Sequence, residues 1–363
     1  MYDLAVIGGG PAGTAAASTA ARSGAKVLLL EKGSFPRHKV CGEFVSAESL
    51  ELLDSLLCGS RELITSAPRL HRARVFIENR MIETTVEPAA ASIPRIELDA
   101  ALWYSAKGHG VDAHERQVVS SIDGQGPFAI RTADQEFRAR AVIHAAGRWS
   151  RLDFKESATK NGNGRQGNWL GLKAHFREES PPDSVDLYFF EGGYCGVQPV
   201  GTNGRQRINA CAMVRSDVSA SLESTFHQHP ELSKRSEHWQ PVTDMVATSP
   251  LIFRKPEPIQ GHILRVGDAA GFVDPFVGDG ISLALRSGAL AAKSLRSFLE
   301  GPGSLQQAGE DYERAYRREL MHVFKTSSKI RRLLGFPAPI RAGLLYALSS
   351  FPSLTRYLVR TTR

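Results

Sequence analysis

The chain opens with an apolar strand that runs directly into a glycine-rich turn. Residues 4–13 read LAVIGGGPAG, which gives the spacing G-x-G-x-x-G, and a small-residue helix and a second apolar strand, KVLLLEK, follow. Gly8 permits the tight turn, Gly10 lets the backbone approach a pyrophosphate, and Gly13 lets helix and strand pack closely. The phosphates are expected at the free N–H groups of the following helix.

Glu31 ends the second strand, 18 residues after Gly13. A carboxylate at this point accepts hydrogen bonds from a ribose 2′-OH, and it suits an adenosine without a 2′-phosphate. Because strand, helix, strand and acid occur in this order, the unit predicts a dinucleotide site rather than an ordinary turn.

A second glycine-rich segment, RVGDAAGFVDPFVGDGI, spans residues 265–281. A strand is predicted to end at Gly267, which places Asp268 to hydrogen-bond a polyol hydroxyl. Pro275 and the neighbouring glycines then carry the backbone close to a flat ring. Gly280 begins a helix whose N-terminal N–H groups would stabilise negative charge on that ring.

The pairing of GGGPAG with GDAAGFVDPFVGDGI resembles the FAD-dependent oxidoreductases of the para-hydroxybenzoate hydroxylase superfamily, and within it the geranylgeranyl reductase family, over about residues 1–295. The resemblance implies bound FAD, with the first glycines at the pyrophosphate and Glu31 at the adenosine ribose. Asp268 would then serve the ribityl chain and Gly280 the pyrimidine edge of the flavin. The full set of implied cofactor-binding residues is Gly8, Gly10, Pro11, Ala12, Gly13, Glu31, Lys32, Arg37, Cys41, Gly42, Arg95, Gly147, Asp268, Pro275, Gly278, Gly280 and Ile281.

The loop FPRHKVCGE, residues 35–43, is similar to the family loop that carries a Cys-Gly pair beside the isoalloxazine. Arg37 in this loop offers a bidentate guanidinium to a phosphate or ribose, unless it belongs to a solvated run of charges. Arg95 resembles the helix-start arginine that contacts FAD in these proteins, and Asp99 is expected to order that turn.

The catalytic candidates are Cys41, in that loop, and Tyr194, in the aromatic-rich stretch 188–197. The alternative is that this stretch is an ordinary core sheet. The redox site is expected between the flavin face and an antiparallel sheet. Its predicted lining residues are Cys41, Phe190, Tyr194 and Phe276, and Cys195 is expected near the flavin.

The resemblance implies an FAD-dependent reduction of an apolar substrate, either a prenyl lipid or a polyketide-like ring. An NAD(P)H-dependent monooxygenase is the alternative, although Ala146 stands where aromatic hydroxylases carry an aspartate. Halogenation is disfavoured because the chain has no W-x-W-x-I-P segment. A flavoprotein without catalysis is a further alternative. The sequence has no second G-x-G-x-x-G unit for NAD(P)H, so reduced nicotinamide would bind transiently at the surface, or another protein would supply electrons.

The expected fold class is α/β, a three-layer Rossmann-like FAD-binding fold with an inserted antiparallel β-sheet as substrate layer and C-terminal helices. Four strand candidates over residues 169–215 predict the inserted sheet. The expected division is a discontinuous FAD-binding domain over 1–70, 93–155 and 255–300, a substrate-binding sheet domain over 71–92 and 165–254, and a helical segment over 301–363.

The net charge of +7 comes from the C-terminal segment, because eight Lys and Arg residues and no acid follow Glu319. This distribution disfavours nucleic-acid binding, which spreads basic residues over a binding face. Residues 333–360 combine an apolar helical stripe with basic charges, which fits either a peripheral membrane segment or helices that cap the sheet. The four cysteines lack metal-ligand spacing, so we expect reduced thiols, no metal, and a cytoplasmic protein or one at the inner face of the membrane.

Overall fold

The computed structural model describes residues 1–148, 152, 169–202, 204, 207–248, 251, 253 and 255–334. The predicted membrane-surface segment 333–360 lies outside these residues from position 335 onward. The described chain forms two β-sheets, with the longer helices packed on the first.

The described residues form 17 strands, which are, in chain order, β1 (Tyr2–Ile7), β2 (Val27–Leu30), β3 (Phe44–Val45), β4 (Arg69–Ile77), β5 (Arg80–Ser92), β6 (Asp112–His114), β7 (Ser121–Asp123), β8 (Phe128–Arg131), β9 (Glu136–His144), β10 (Trp169–Arg177), β11 (Ser184–Phe190), β12 (Gly193–Val200), β13 (Arg207–Arg215), β14 (Gln240–Pro241), β15 (Val246–Thr248), β16 (Ile259–Gln260) and β17 (Ile263–Arg265).

The α-helices of the described chain are α1 (Pro11–Arg22), α2 (Leu50–Leu56), α3 (Glu62–Thr65), α4 (Arg95–Gly108), α5 (Leu222–Phe226), α6 (Pro230–Ser236), α7 (Gly280–Glu300), α8 (Leu305–Glu319) and α9 (Met321–Leu334). Short 3-10 helices lie at Ala47–Ser49, Gly267–Ala269 and Pro275–Val277.

The first sheet has the order β16-β17-β9-β1-β2-β6, with β8 beside β9 and β7 beside β8. The strands from β17 to β6 are parallel, and β16, β8 and β7 pair antiparallel at the margins. The central strands are continuous apolar runs, since both faces of a parallel sheet are covered. This sheet, with its helices, confirms the predicted Rossmann-like α/β fold class.

Helices α1 and α7 pack together so closely that their backbones touch. A Cβ on Gly288 of α7 would lie 2.1 Å from the carbonyl oxygen of Ala12 in α1. On the other side of α1, a Cβ on Gly13 would lie 1.8 Å from the carbonyl oxygen of Gly8. Close backbone contacts therefore join α7 to α1, and α1 to the first glycine turn.

The second sheet has the order β14-β10-β13-β12-β11-β4-β5-β3, with β15 beside β10. Strands β10 to β13 are antiparallel, as their spacing predicted, and β11 pairs parallel with β4. Side chains alternate between the two faces of such strands. One face carries Leu172, Phe176 and Tyr188, packed under the short helices α5 and α6, and the other faces the first sheet.

Within the described part of the chain, none of the helices has the length and apolar character needed to cross a bilayer. The same residues contain no cluster of His, Cys, Asp and Glu side chains arranged to hold a metal ion.

Candidate active site

A cavity of about 740 Å³ lies between the two sheets, a volume typical of ligand-binding pockets. It opens where β1, β2, β9 and β17 end, the edge at which open α/β sheets bind ligands. The predicted site residues that line it are Gly8, Gly10, Pro11, Ala12, Glu31, Lys32, Arg37, Cys41, Gly42, Arg95, Gly147, Tyr194, Asp268, Pro275, Gly278, Gly280 and Ile281. Gly13 lies behind this wall, against the Gly8 backbone. The structure thus brings the predicted residues together, and their individual binding roles stay predictions.

Two kinds of glycine surround the cavity. Gly8 has a φ of +112°, and a Cβ there would lie 2.4 Å from the Ala145 carbonyl oxygen, so the fold itself requires this glycine. At Gly10, Gly42 and Gly280 a Cβ would meet no protein atom within 4 Å, although all three residues line the cavity. Bare backbone around open space is what close approach of a ligand requires. The cradle therefore fits a bound FAD.

Two helix N-termini meet this cavity. Gly10 is the N-cap of α1, and Gly280 is the first residue of α7. Among the described residues, no side chain caps either helix by a hydrogen bond. The first N–H groups of both helices are therefore available to anionic or acceptor atoms of a ligand.

Glu31 lies in the cavity wall at the end of β2. Its Oε2 accepts a hydrogen bond from the Gly9 N–H at 2.7 Å, and its Oε1 accepts from the Gly33 N–H at 2.9 Å and from Arg37 Nη1 at 2.6 Å. Burial alone would raise the pKa of Glu31, but Arg37 and the two backbone donors outweigh burial and lower that pKa. The carboxylate is thus a fixed, ionised acceptor with lone pairs left for a sugar hydroxyl.

Cations gather on the same side of the cavity. Lys39 lines the cavity, where desolvation and then the charges of Arg37 and Arg95 lower the pKa of its ammonium group. The Arg37 Nε is buried with no hydrogen-bond partner among the described residues. A diphosphate would neutralise this positive field and satisfy that donor.

Arg95 begins α4, as predicted, and its guanidinium makes a bidentate pair with Asp99. The Nε–Oδ1 distance is 2.7 Å and the Nη2–Oδ2 distance is 2.8 Å. Burial disfavours the charged form, but the charge and hydrogen bonds of Asp99 outweigh it and raise the pKa of Arg95. Asp99 thus fixes the Arg95 guanidinium in the cavity wall, and its role in ordering the turn stays a prediction.

Asp268 lies one residue past a turn that ends strand β17 earlier than predicted. The strand stops at Arg265, because Gly267 takes a φ of +56° and begins a 3-10 helix. The Asp268 carboxylate pairs with Arg148 at 3.4 Å, and that guanidinium lies 4.0 Å from the ring centroid of Phe272. Enclosure in the cavity raises the pKa of Asp268 in spite of Arg148. Sequence reasoning missed Arg148, since no local pattern links it to a residue 120 positions away.

Tyr194 projects from β12 into the cavity and is 6% exposed. Burial, and then the negative charge of Asp274, raises the pKa of Tyr194 well above its ordinary value. Its phenol therefore stays protonated and can donate a hydrogen bond. Cys41 lines the same cavity from the loop before β3.

Three further residues predicted at or near the redox site are placed differently. Phe190 and Cys195 pack on the opposite face of the second sheet, so their predicted place in the redox site is wrong. The reason is strand alternation, which turns Phe189 rather than its neighbour toward Tyr194, with ring centroids 5.4 Å apart. Phe276 stands behind Tyr194, at a centroid distance of 6.2 Å, as part of the same aromatic cluster.

A buried ion cluster lies directly behind the Cys-Gly pair. Glu43 Oε2 is 2.7 Å from His175 Nε2, and Glu43 Oε1 accepts from Lys173 Nζ and from the Arg95 N–H at 2.7 Å. The side chains of Glu43, Lys173 and His175 are at most 1% exposed. Sequence reasoning missed Glu43. The alternation of Lys173 and His175 with apolar residues was the available signal, but it could not name their partner.

The chain matches the FAD binding domain family over residues 1–324. It is 29% identical to the digeranylgeranylglycerophospholipid reductase of Thermoplasma acidophilum over 352 aligned positions, which cover 86% of this chain and 82% of that protein. It is 27% identical to the tryptophan 2-halogenase of Chondromyces crocatus, with 86% of this chain and 65% of that protein covered.

Among solved structures, the flavin-dependent brominase Bmp2 superimposes with a TM-score of 0.81 at 20% identity, covering 99% of this chain and 93% of that chain. That similarity shows the shared fold. Together with the cavity and its glycines, these matches establish that the chain belongs to the FAD binding domain family and is an FAD-dependent enzyme related to the digeranylgeranylglycerophospholipid reductases.

Proposed function

We propose that the enzyme reduces a carbon–carbon double bond in an apolar substrate, a prenyl lipid or a polyketide-like ring. The observation that carries this proposal is the apolar character of the cavity on the side of the second sheet. Tyr194, Met213 and Leu251 form one buried cluster there, with Phe272 packed against it, and all four line the cavity. Such a wall binds an apolar chain or ring and excludes water from the reacting atoms.

FAD, when bound, supplies a ring that exchanges electrons with the substrate. The residues of the chain hold and orient the reactants around it. Among the ionisable groups that line the cavity, Cys41 lies in the loop before β3 and Tyr194 lies on β12, and we assign to these two the proton that a reduction requires. Because Tyr194 is held as a phenol, it also offers a hydrogen bond to a polar end of the substrate.

Three observations bear on the alternatives. The Thermoplasma acidophilum relative is named as a reductase of a prenyl phospholipid, which supports reduction and an apolar substrate. The halogenase relative supports a second chemistry. Halogenation would need a lysine ammonium group free to hold a hypohalous acid, and Lys173 does not offer one, because it is paired with Glu43 and is 1% exposed.

The electron donor and the membrane contact also belong to this proposal. We propose that NAD(P)H or another external donor reduces the flavin, and that the basic tail brings the enzyme to the inner face of the membrane. Flotation with anionic liposomes at low salt tests the tail. Two results together would refute the membrane contact. The full-length protein would stay at the bottom of the gradient, and truncation after Ile330 would only unfold it.

Chemically reduced enzyme, incubated anaerobically with prenyl lipids and with polyketide-like rings, tests the reaction. A mass gain of one hydrogen pair per reduced bond supports the proposal. Product that appears only with oxygen, or only with oxygen and halide, would instead establish a monooxygenase or a halogenase. Tyr194→Phe is expected to slow turnover, whereas the matched control Tyr188→Phe, on the opposite face of the sheet, is expected to leave it unchanged.

A further inference from the structure

We propose that Glu43 is a positioning residue. Through its buried ion cluster it holds the turn formed by Cys41, Gly42 and Glu43 against the second sheet, and it thereby fixes the Cys41 thiol in the cavity. The importance of that thiol for turnover rests on the proposed function, whereas its placement by Glu43 does not.

The turn itself is tied together through its backbone. Glu43 has a φ of +63°, a left-handed conformation that residues other than glycine rarely adopt. Its N–H donates to the Cys41 Sγ at 3.3 Å, and its carbonyl oxygen accepts from the Ile93 N–H at 3.0 Å. The thiol and the unusual backbone are thus parts of one structure, and that structure persists only if its surroundings hold it.

The side chain of Glu43 provides the anchor. One carboxylate oxygen faces Lys173 and the N–H that begins α4, and the other faces His175, so a single residue joins the loop to a helix and to strand β10. On the neighbouring strand β13, Asn209 Nδ2 donates to the Cys41 carbonyl oxygen at 3.0 Å. Asn209 and His175 are directly paired across β10 and β13. Both ends of the turn are therefore fastened to the same patch of the second sheet.

Stability alone does not explain such a cluster. Replacing a buried ion pair by apolar residues of similar volume is often neutral or stabilising, because taking charges out of water is unfavourable. Directional bonds to a carboxylate do what apolar packing does not: they fix the orientation of one turn. Since Cys41, Gly42 and Glu43 all line the cavity, the turn whose orientation is fixed is part of the site.

The rate at which iodoacetamide alkylates Cys41 in the full chain with FAD bound measures the position of the thiol independently of any substrate. Peptide mass mapping separates Cys41 from Cys58, the exposed cysteine. Glu43→Gln removes the charge-assisted bonds, and the freed turn is expected to raise the Cys41 rate about tenfold. The matched control is Asp186→Asn, since Asp186 is an equally buried carboxylate in the same sheet, bonded to Arg74 at 2.7 Å on the opposite face. Asp186→Asn is expected to change the rate of Cys41 alkylation less than about twofold, even if it lowers Tm as much as Glu43→Gln does.

Lys173→Gln provides a milder test if the Glu43 variant does not fold, because glutamine still donates a hydrogen bond to the carboxylate. Lys173→Gln is expected to raise the rate of Cys41 alkylation by a smaller factor than Glu43→Gln does. Unchanged Cys41 rates in the folded variants, or an equal rise in Asp186→Asn, would overturn the proposal. A raised rate together with normal turnover of Cys41→Ala would support positioning by Glu43 and would refute only the catalytic part of the proposed function.

Discussion

Replacing Asp279 by asparagine is expected to stabilise the FAD-free protein at neutral pH. Asp279 is the N-cap residue of α7 and is 1% exposed. Its Oδ1 accepts a hydrogen bond from Ser46 Oγ at 2.9 Å, and its Oδ2 is buried with no hydrogen-bond partner in the described part of the chain. Burial raises the pKa of Asp279 from 3.8 to about 6, against the opposing effects of Ser46 and Arg286.

The sign and size of the effect follow from this pKa. The folded state binds the Asp279 proton more tightly than the unfolded state, so the stabilising contribution of this group is fully present below about pH 4 and is lost as pH rises through about 6. A difference of about two pKa units corresponds to about 3 kcal/mol at neutral pH. Asparagine keeps the acceptor for Ser46 and carries no charge. For a chain of 363 residues, that gain is a rise in Tm of about 4 °C.

Thermal unfolding of the FAD-free wild type and Asp279→Asn, at about pH 4 and at neutral pH, measures this gain. The two proteins are expected to have the same Tm at the lower pH and to diverge at the higher. Asp244→Asn, which changes an exposed carboxylate, is the control and is expected to shift neither value. A variant that is no more stable than wild type at neutral pH, or a gap that does not depend on pH, would refute the reasoning.

Three further predictions concern the cavity, and a fourth concerns the packing of helix α7 against helix α1. Gly10→Val places a side chain in open space at the cavity wall and is expected to abolish FAD retention, read from the flavin absorbance of the purified protein. Asp268→Ala removes a carboxylate from the same cavity and is expected to weaken FAD retention, and a wild-type FAD content in both variants would contradict the assigned cradle. Cys41→Ala is expected to lower turnover more than FAD content, and normal turnover would leave Cys41 a packing residue. Gly288→Ala drives a methyl group into the Ala12 carbonyl oxygen and is expected to destabilise the fold by about 2–3 kcal/mol, measured by urea unfolding.

Much of the fold could be predicted because its signals are local. The first glycine turn, Glu31 and helix α4 each depend on residues close together in sequence. The four strands between Trp169 and Arg215 were predicted from alternation and turn residues alone. These signals also gave most of the cavity lining, because parallel strands end at one edge of a sheet and bring their following loops together.

The remaining features depend on distances that sequence does not show. The aromatic run from Tyr188 to Phe190 predicted a pocket wall, but which face turned inward depended on strand register, and Phe189 is the inward residue. Glu43 meets Lys173 and His175 across 130 positions or more, so no spacing rule could pair them. Strand β17 ends at Arg265, earlier than predicted, and Gly267 then takes a positive φ as the first residue of a 3-10 helix.

Groups with shifted pKa values do not by themselves locate the site in this protein. Glu43 and Asp268 lie at the cavity, but a second, largely buried network of Asp186, Arg235 and Glu178 lies on the far face of the second sheet. Burial raises the pKa of the cavity acid Asp268, whereas the pKa of Arg235 is raised by its carboxylate partners against burial. Structural ion networks and functional sites therefore both contain groups whose pKa values are shifted by burial and by neighbouring charges. The cavity and the far network differ in the backbone around them. At the cavity, Gly10, Gly42 and Gly280 border open space that no protein atom fills. In the far network, the charged side chains of Asp186, Arg235 and Glu178 pair with one another.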